Sequence, residues 1–241
     1  MPDDSCGISF LVHGPSKAGK SFLGDSTPGP RLFLDAEGGT RFLQSKKIIW
    51  NPMTGGPPAY DGTWETCICY IRDFGSLSHA YAWLASGQHP FRSVTLDSIS
   101  EIQQKCVDSI AGIDAMKIQD WGELGRKMSA LIRSYRDLLI HPTNPLEAVV
   151  MLAMTKQNQD GKWYPFVQGQ LATTIPYFID VVGYLRAEIS EEGNFTNFLL
   201  TKPHQLYEAG DRTGVYERVI TNPRIDQMID SFCHPKTNEV N

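Results

Sequence analysis

The sequence predicts an α/β protein: a mostly parallel sheet with helices on both faces and an antiparallel β extension toward the C-terminal end. Three observations carry that expectation. Short apolar runs alternate with segments of helical spacing from Ile8 to Met154. A glycine-rich loop, Gly14 to Ser21 (GPSKAGKS), follows the first of those runs directly. Two further runs, Ile179 to Glu188 and Asn194 to Leu200, are joined across the turn Ser190-Glu191-Glu192-Gly193. Alternating strands and helices call for parallel pairing with crossover helices, and a short turn calls for an antiparallel pair.

Ile8 to Val12 is short, apolar and partly β-branched, so it reads as a strand feeding the glycine-rich loop. The helix opening at Gly19-Lys20-Ser21 is short, because Gly24-Asp25 and then Ser26-Thr27-Pro28-Gly29-Pro30 punctuate it within about two turns. Arg31 to Asp35 (RLFLD) is a second buried strand, and Thr40 to Leu43 starts a helix. Asn51 to Gly62 holds three prolines and three glycines and is loop. Cys67 to Ile71 is a third strand, and Ser76 to Ser86 has helical spacing through Leu77, Tyr81 and Leu84. Ser93 to Asp97 (SVTLD) is a fourth strand that ends in an acid. Ser98 to Ala111 follows as a helix, capped by Ser98 or Ser100, with Ile99, Ile102, Cys106 and Ile110 on one face. Gln119 to Ile140 is the longest helical pattern, and Ala148 to Met154 (AVVMLAM) is apolar throughout, as a central parallel strand requires. Thr155 to Thr174 reads as a polar loop, and the stretch after Pro235 is expected to fray. No repeat or linker divides the chain, so one domain is expected over 1–241, with its core over 8–222.

Of the 241 residues, 41% are hydrophobic and 20% charged, which is globular composition with enough apolar chain for a sizeable core. The net charge is −5, so no global basic field advertises nucleic acid, and any such contact has to be local. The five cysteines match no zinc spacing. Cys67 and Cys69, two apart in an apolar run, read as small buried hydrophobes, so no disulfide framework is expected and a reducing cytoplasm fits. Neither a signal peptide nor a run long enough to span a membrane is present.

The chemistry starts at Gly14-Pro15-Ser16-Lys17-Ala18-Gly19-Lys20-Ser21, followed by Phe22. Glycines let such a loop turn its N–H groups inward around phosphate oxygens, and the helix N-terminus behind it adds its positive end. Lys20 then reaches the β- and γ-phosphates of ATP, and the Ser21 hydroxyl ligates Mg²⁺. Asp97, at the end of its strand, is placed to hold the same metal ion; capping the next helix is its other reading. Glu37, in Asp35-Ala36-Glu37-Gly38-Gly39 after the second strand, can orient an attacking water or take its proton, or else be a solvated loop acid. Gln157, just past the central strand, is an amide within reach of a γ-phosphate. The loop beyond it carries Lys162 with Trp163, Tyr164 and Phe166, and a cation among aromatics suits stacking on single-stranded bases or, equally, packing under the loop. Arg212, in Gly210-Asp211-Arg212-Thr213-Gly214, is either a charge-stabilising finger acting across a subunit interface or a hairpin arginine in solvent. The histidines, His13 included, read as structural or exposed.

GPSKAGKS after ISFLVH, LFLDAEGG, SVTLDSISEIQ, the DWGELGRKM helix start, VVMLAMTKQ, DVVGYL and EAGDRTG occur in that order. Together they resemble the phage-encoded RecA-like P-loop ATPases of the single-strand-annealing type, over about Ile8 to Asn222. The resemblance implies a RecA-like core, ATP with Mg²⁺, homo-oligomers with ATP at subunit interfaces, and single-stranded DNA as partner, with a single-strand-binding protein as a further candidate. It gives Lys20 and Ser21 the phosphate and metal positions and Asp97 the second acidic motif. It makes Glu37 the catalytic glutamate, Gln157 the γ-phosphate sensor and Arg212 an arginine used in trans. The chain departs from RecA in three places: it enters its first core strand almost at once, it has no counterpart of the separate C-terminal domain, and it has Gly210 where a lysine would precede the finger arginine. Those departures favour annealing or an accessory role over full strand exchange. Two other classes compete with an ATPase on DNA. A P-loop small-molecule kinase would need an acceptor pocket and a cationic lid, and a nucleotide switch or loader would bind ATP with negligible turnover.

Overall fold

A computed structural model of the protein describes residues 6–189 and 193–235. The Ser190–Glu192 part of the expected turn and the tail after residue 235 lie outside the described residues. The first half of the chain runs β1 (Ile8–His13), α1 (Lys20–Gly24), β2 (Arg31–Asp35), β3 (Lys47–Ile49), β4 (Thr66–Tyr70), α2 (Phe74–Ala85), β5 (Ser93–Asp97), α3 (Ile99–Ala111) and α4 (Ile118–Asp137). The second half runs β6 (Ala148–Ala153), β7 (Thr155–Gln157), β8 (Trp163–Pro165), α5 (Leu171–Thr174), β9 (Val181–Ile189), β10 (Phe195–Leu200), β11 (Gly210–Asp211), β12 (Val219–Thr221) and α6 (Ile225–Cys233).

The main sheet has the order β12-β10-β9-β1-β6-β5-β2-β4-β3, with β11 added beside β9. Every pair from β9 through β1 to β3 is parallel, whereas β10, β11 and β12 join antiparallel. This is the mostly parallel sheet with an antiparallel extension that the sequence predicts. Alternation along the strands sorts the core into two layers. Leu11, Leu34, Leu96 and Met151 face α2, α3 and α4, while Phe10, Phe33, Val150 and Leu152 face α1 and α6. Strands buried on both faces account for the continuous apolar runs.

Ser98 caps α3, accepting from the Glu101 amide, and Asp73 caps α2, accepting from the Ser76 amide. Ser100, the alternative cap, instead donates to the Phe166 carbonyl and accepts from the Met154 amide, tying α3 to the chain beyond β6. Cys67 and Cys69 are buried, and burial pushes the Cys69 thiol up to about 12. Thr40 to Leu43 does not start a helix: a single 3-10 turn covers Gly39–Phe42. The third strand is shifted one residue from the expected span, to Thr66–Tyr70. The largest correction concerns Thr155 to Thr174. It is not one loop but an antiparallel hairpin of β7 and β8, followed by the short α5. Short strands with polar alternate residues give little periodicity to read, which also hides the edge strand β3. Helix α6 was likewise unread; it packs Ile225, Met228 and Ile229 against the second layer.

Candidate functional site

Strands β1, β6, β5 and β2 are neighbours and run parallel, so their C-terminal ends share one edge. That edge receives the glycine-rich loop from β1, Asp97 from β5 and the DAEGG turn from β2. Sequence positions as far apart as 20, 37 and 97 therefore converge.

The loop's conformation explains its composition. Gly19 has φ +86°, in the left-handed region that favours glycine, and Lys17 shares that region at φ +64°. Gly14 has a different reason. A Cβ there would lie 2.2 Å from the Leu185 carbonyl oxygen, because β9 runs against the loop. Pro15, Ser16 and Ala18 fill the turn between them, and Phe22 on α1 is exposed. Lys20 Nζ donates to the carbonyls of Gly14 and Pro15, each at 2.9 Å, which holds the ammonium across the loop. Burial lowers its pKa, while Glu37 and Asp97 pull it back up.

Ser21 Oγ donates to Asp97 Oδ2 at 2.6 Å. This hydroxyl and carboxylate are two hard oxygen donors side by side, of the kind that would hold Mg²⁺ beside bound phosphate. Among the described residues no group of three or more His, Cys, Asp or Glu side chains forms a metal cage. Mg²⁺ in a phosphate site needs none, so the residues present fit it. Burial pushes Asp97 up to about 7, opposed by its bond from Ser21, with Glu37 and Asp35 raising it further and Lys20 lowering it.

Glu37 accepts from the Ser98 hydroxyl, so its carboxylate is tied to the residue after Asp97 while remaining exposed. Asp35 shapes the turn that presents it. Its buried carboxylate accepts from the amides of Glu37 (3.1 Å), Gly38 (2.7 Å) and Thr40 (3.1 Å), and from the Thr40 hydroxyl. Sequence reasoning missed this role, although an aspartate followed by a glycine pair is an Asx-turn signal. Lys20, Ser21, Asp97 and Glu37 are thus brought together. Asn197, on β10, adds a residue no sequence signal marks: a Cβ on Gly19 would lie 3.0 Å from its Nδ2, and its buried Oδ1 has no partner among the described residues.

The other candidates sit around this cluster. Gln157 lies on β7 and donates to the Gly161 carbonyl at 2.7 Å, within its own hairpin. Lys162 pairs with Glu208 at 2.6 Å and lies 5.1 Å from the Tyr164 ring centre. Trp163, Tyr164 and Phe166 are half-buried, and Lys156 stands 5.3 Å over the Phe166 ring. The hairpin's lysine is therefore partnered inside the chain. His13 is buried at the root of the phosphate loop, its Nδ1 3.1 Å from Thr155 Oγ1 and its Nε2 2.7 Å from the Glu208 carbonyl. It is structural, joining β1 to the hairpin. Arg212 is not at this edge. Asp211 pairs with Val181, which pairs with Phe10, so Arg212 lies level with Ser9, roughly 13 Å down the strands from His13. It donates to the Tyr177 carbonyl at 2.7 Å, sits 3.6 Å from Asp180, and is 60% exposed. No helix of the described residues is long and apolar enough to cross a membrane.

A protein-family model described as an AAA domain matches residues 7–213, a span that includes the phosphate loop, Glu37, Asp97, Gln157 and Arg212. No curated protein shows significant similarity to the chain. Among solved structures, the chain resembles the flagellar accessory protein FlaH from Methanocaldococcus jannaschii at 12% identity. That alignment covers 91% of this chain and 87% of the other with a TM-score of 0.46, too loose to transfer any residue's role.

Proposed function

The chain belongs to the AAA-domain family, and from that premise we propose a Mg²⁺-dependent ATPase that acts on single-stranded DNA, annealing strands in phage recombination or replication in the host cytoplasm. The observation that carries the reading is the convergence of Lys20, the Ser21–Asp97 pair and Glu37 on one sheet edge, with the β7–β8 hairpin rooted on the same edge through His13 and Thr155.

Each residue has a part. The loop amides and Lys20 hold the phosphates and offset the charge that builds on the γ-phosphoryl oxygens. Ser21 and Asp97 are the residues that would hold Mg²⁺, which supplies further neutralisation of the phosphate oxygens when bound. Glu37, held by Ser98, orients a water for in-line attack and accepts its proton as the bond to the leaving diphosphate breaks. Gln157 is the candidate reporter of the γ-phosphate, because it ends β7 where the hairpin turns toward Lys162, Trp163, Tyr164 and Phe166. Arg212 is too far down the sheet to serve its own phosphate loop, which leaves a neighbouring subunit's site as the one it would reach in a homo-oligomer. A single-strand-binding protein is the expected accessory partner.

The test is ATP turnover with and without single-stranded DNA, on wild type, Glu37→Gln and a Lys162→Ala/Trp163→Ala double variant. Glu37→Gln is expected to bind ATP normally while losing roughly 100-fold or more in turnover. DNA is expected to stimulate the wild type and not the double variant. Turnover indifferent to DNA, with no DNA binding at low salt, would sink the recombination reading. Unchanged turnover in Glu37→Gln would move the protein to the switch class.

A further inference from the structure

The helix start Asp120 to Met128 (DWGELGRKM) takes no part in the nucleotide site, yet it forms one wall of a cavity of about 720 Å³. The opposite wall is the segment from Gln168 to Phe178. Arg126 and Arg133 both line this cavity, and neither guanidinium has a carboxylate partner among the described residues. Among the described residues no aspartate or glutamate lines it, in a chain whose net charge is −5. Two cations left unpaired in an acidic protein are complementary to a polyanion.

Aromatic planes accompany the cations. The Arg133 guanidinium lies 4.3 Å from the Phe178 ring centre, and Trp121, which also lines the groove, is 45% exposed. Gly122 and Gly125 stand inside α4, where glycine is disfavoured relative to alanine. The chain itself gives no packing reason for them. A Cβ on Gly125 would meet nothing within 4 Å, and one on Gly122 would meet only Arg126 Nη1, at an ordinary 3.7 Å. They leave bare helix backbone beside the two arginines, room for a chain to lie close. The groove also continues: Gly169 lines both this cavity and a second one, about 530 Å³, beside the β7–β8 hairpin, where Lys156 lies over Phe166.

We propose that this groove is the track of the single strand, with phosphates on Arg126 and Arg133 and a base on Trp121, crossing at Gly169 to the β7–β8 hairpin. The proposal rests on the single-stranded DNA reading above and states where the strand lies. Free phosphate would need no aromatic plane, and duplex DNA offers no unstacked base to Trp121. A second copy of this chain is the competing occupant.

The experiment is a titration of a fluorescein-labelled oligothymidylate with the full chain across a range of salt, read by anisotropy. Wild type is compared with Arg126→Gln/Arg133→Gln, Arg126→Lys/Arg133→Lys and Lys162→Ala/Trp163→Ala, with matched circular dichroism and ATP binding as the check on folding. The glutamine pair is expected to bind roughly tenfold more weakly, with the slope of log K against log salt reduced by about 1.4, two phosphate contacts' worth. The lysine pair is expected to keep most of the affinity and the slope. Oligothymidylate is also expected to quench tryptophan fluorescence in the wild type and much less in Trp121→Phe, a readout that needs no arginine variant. Wild-type affinity in the glutamine pair, with binding lost in the hairpin variant, would overturn the groove and leave the DNA reading standing. A glutamine pair that changes only its sedimenting mass would also overturn it, in favour of self-association. A wild type that binds no oligothymidylate at low salt would overturn both.

Discussion

His13 is the last residue of β1, fully buried and bonded at both ring nitrogens. Burial lowers its pKa from 6.5 to about 4, with Lys20 and Lys162 adding to the effect and the bond to the Glu208 carbonyl opposing it. The folded state therefore keeps the ring neutral where the unfolded chain would already have taken a proton. Its contribution to stability is full above about pH 6.5 and is lost as the pH falls toward 4, on the order of 2 kcal/mol between pH 7 and 5. His89, also lowered to about 4 by burial, titrates in the same direction. Comparing wild type with His13→Gln isolates the first ring: urea midpoints should fall less steeply between pH 7 and pH 5 in the variant, although it starts lower. Equal slopes would show that His13 is not held neutral. At this scale the sequence marks the groups proposed to carry the chemistry, Lys20, Ser21, Asp97 and Glu37, because their types and local order suffice. It does not mark the groups that aim them. Asp35, Ser98 and His13 act through bonds to partners that only the folded chain brings near.

Among the elements, β9 does more than extend the sheet. It is parallel to β1 from Phe10↔Val181 to His13↔Tyr184, then runs on past the end of β1 beside the phosphate loop. Gly14 is needed because the Leu185 carbonyl passes so close. Gly14→Ala should push β9 and the loop apart, costing about 1–3 kcal/mol. At about 2–4 °C per kcal/mol, the thermal midpoint should fall by several degrees, with weaker ATP binding measured by titration. An unchanged midpoint would mean that the contact yields freely. Long apolar strands and well-capped helices were readable because their periodicity is local, as β2 and β5 show by matching their expected spans to the residue. The β7–β8 hairpin was not, since three-residue strands owe their pairing to neighbours: Ser100 on α3, His13 on β1 and the Leu206–Glu208 backbone.

For the whole molecule, the consequence of register is that Lys20 and Arg212 lie toward opposite ends of the same strands. An arginine that stabilises charge at a neighbour's site must sit on a face its own site does not use, which is the proposed arrangement. Lys20→Ala and Arg212→Ala proteins should each hydrolyse ATP poorly alone. Mixed, they should recover a measurable share of wild-type turnover, because some interfaces then combine an intact Lys20 with an intact Arg212. A mixture no more active than the sum of its parts would remove Arg212 from the mechanism.

The sequence by itself determined the α/β class, the order of the main strands and helices, and the identity of the phosphate loop. Each of these is written in a contiguous stretch of residues, as a period of apolar side chains or a run of glycines before a lysine. Only the tertiary structure decided which carboxylates meet at the loop, why Gly14 must be glycine, that Lys162 is paired with Glu208, and that Arg126 and Arg133 line a groove with no carboxylate partner among the described residues. Those facts depend on strand order and register, which bring together residues dozens of positions apart, and no local pattern of residue types encodes that distance.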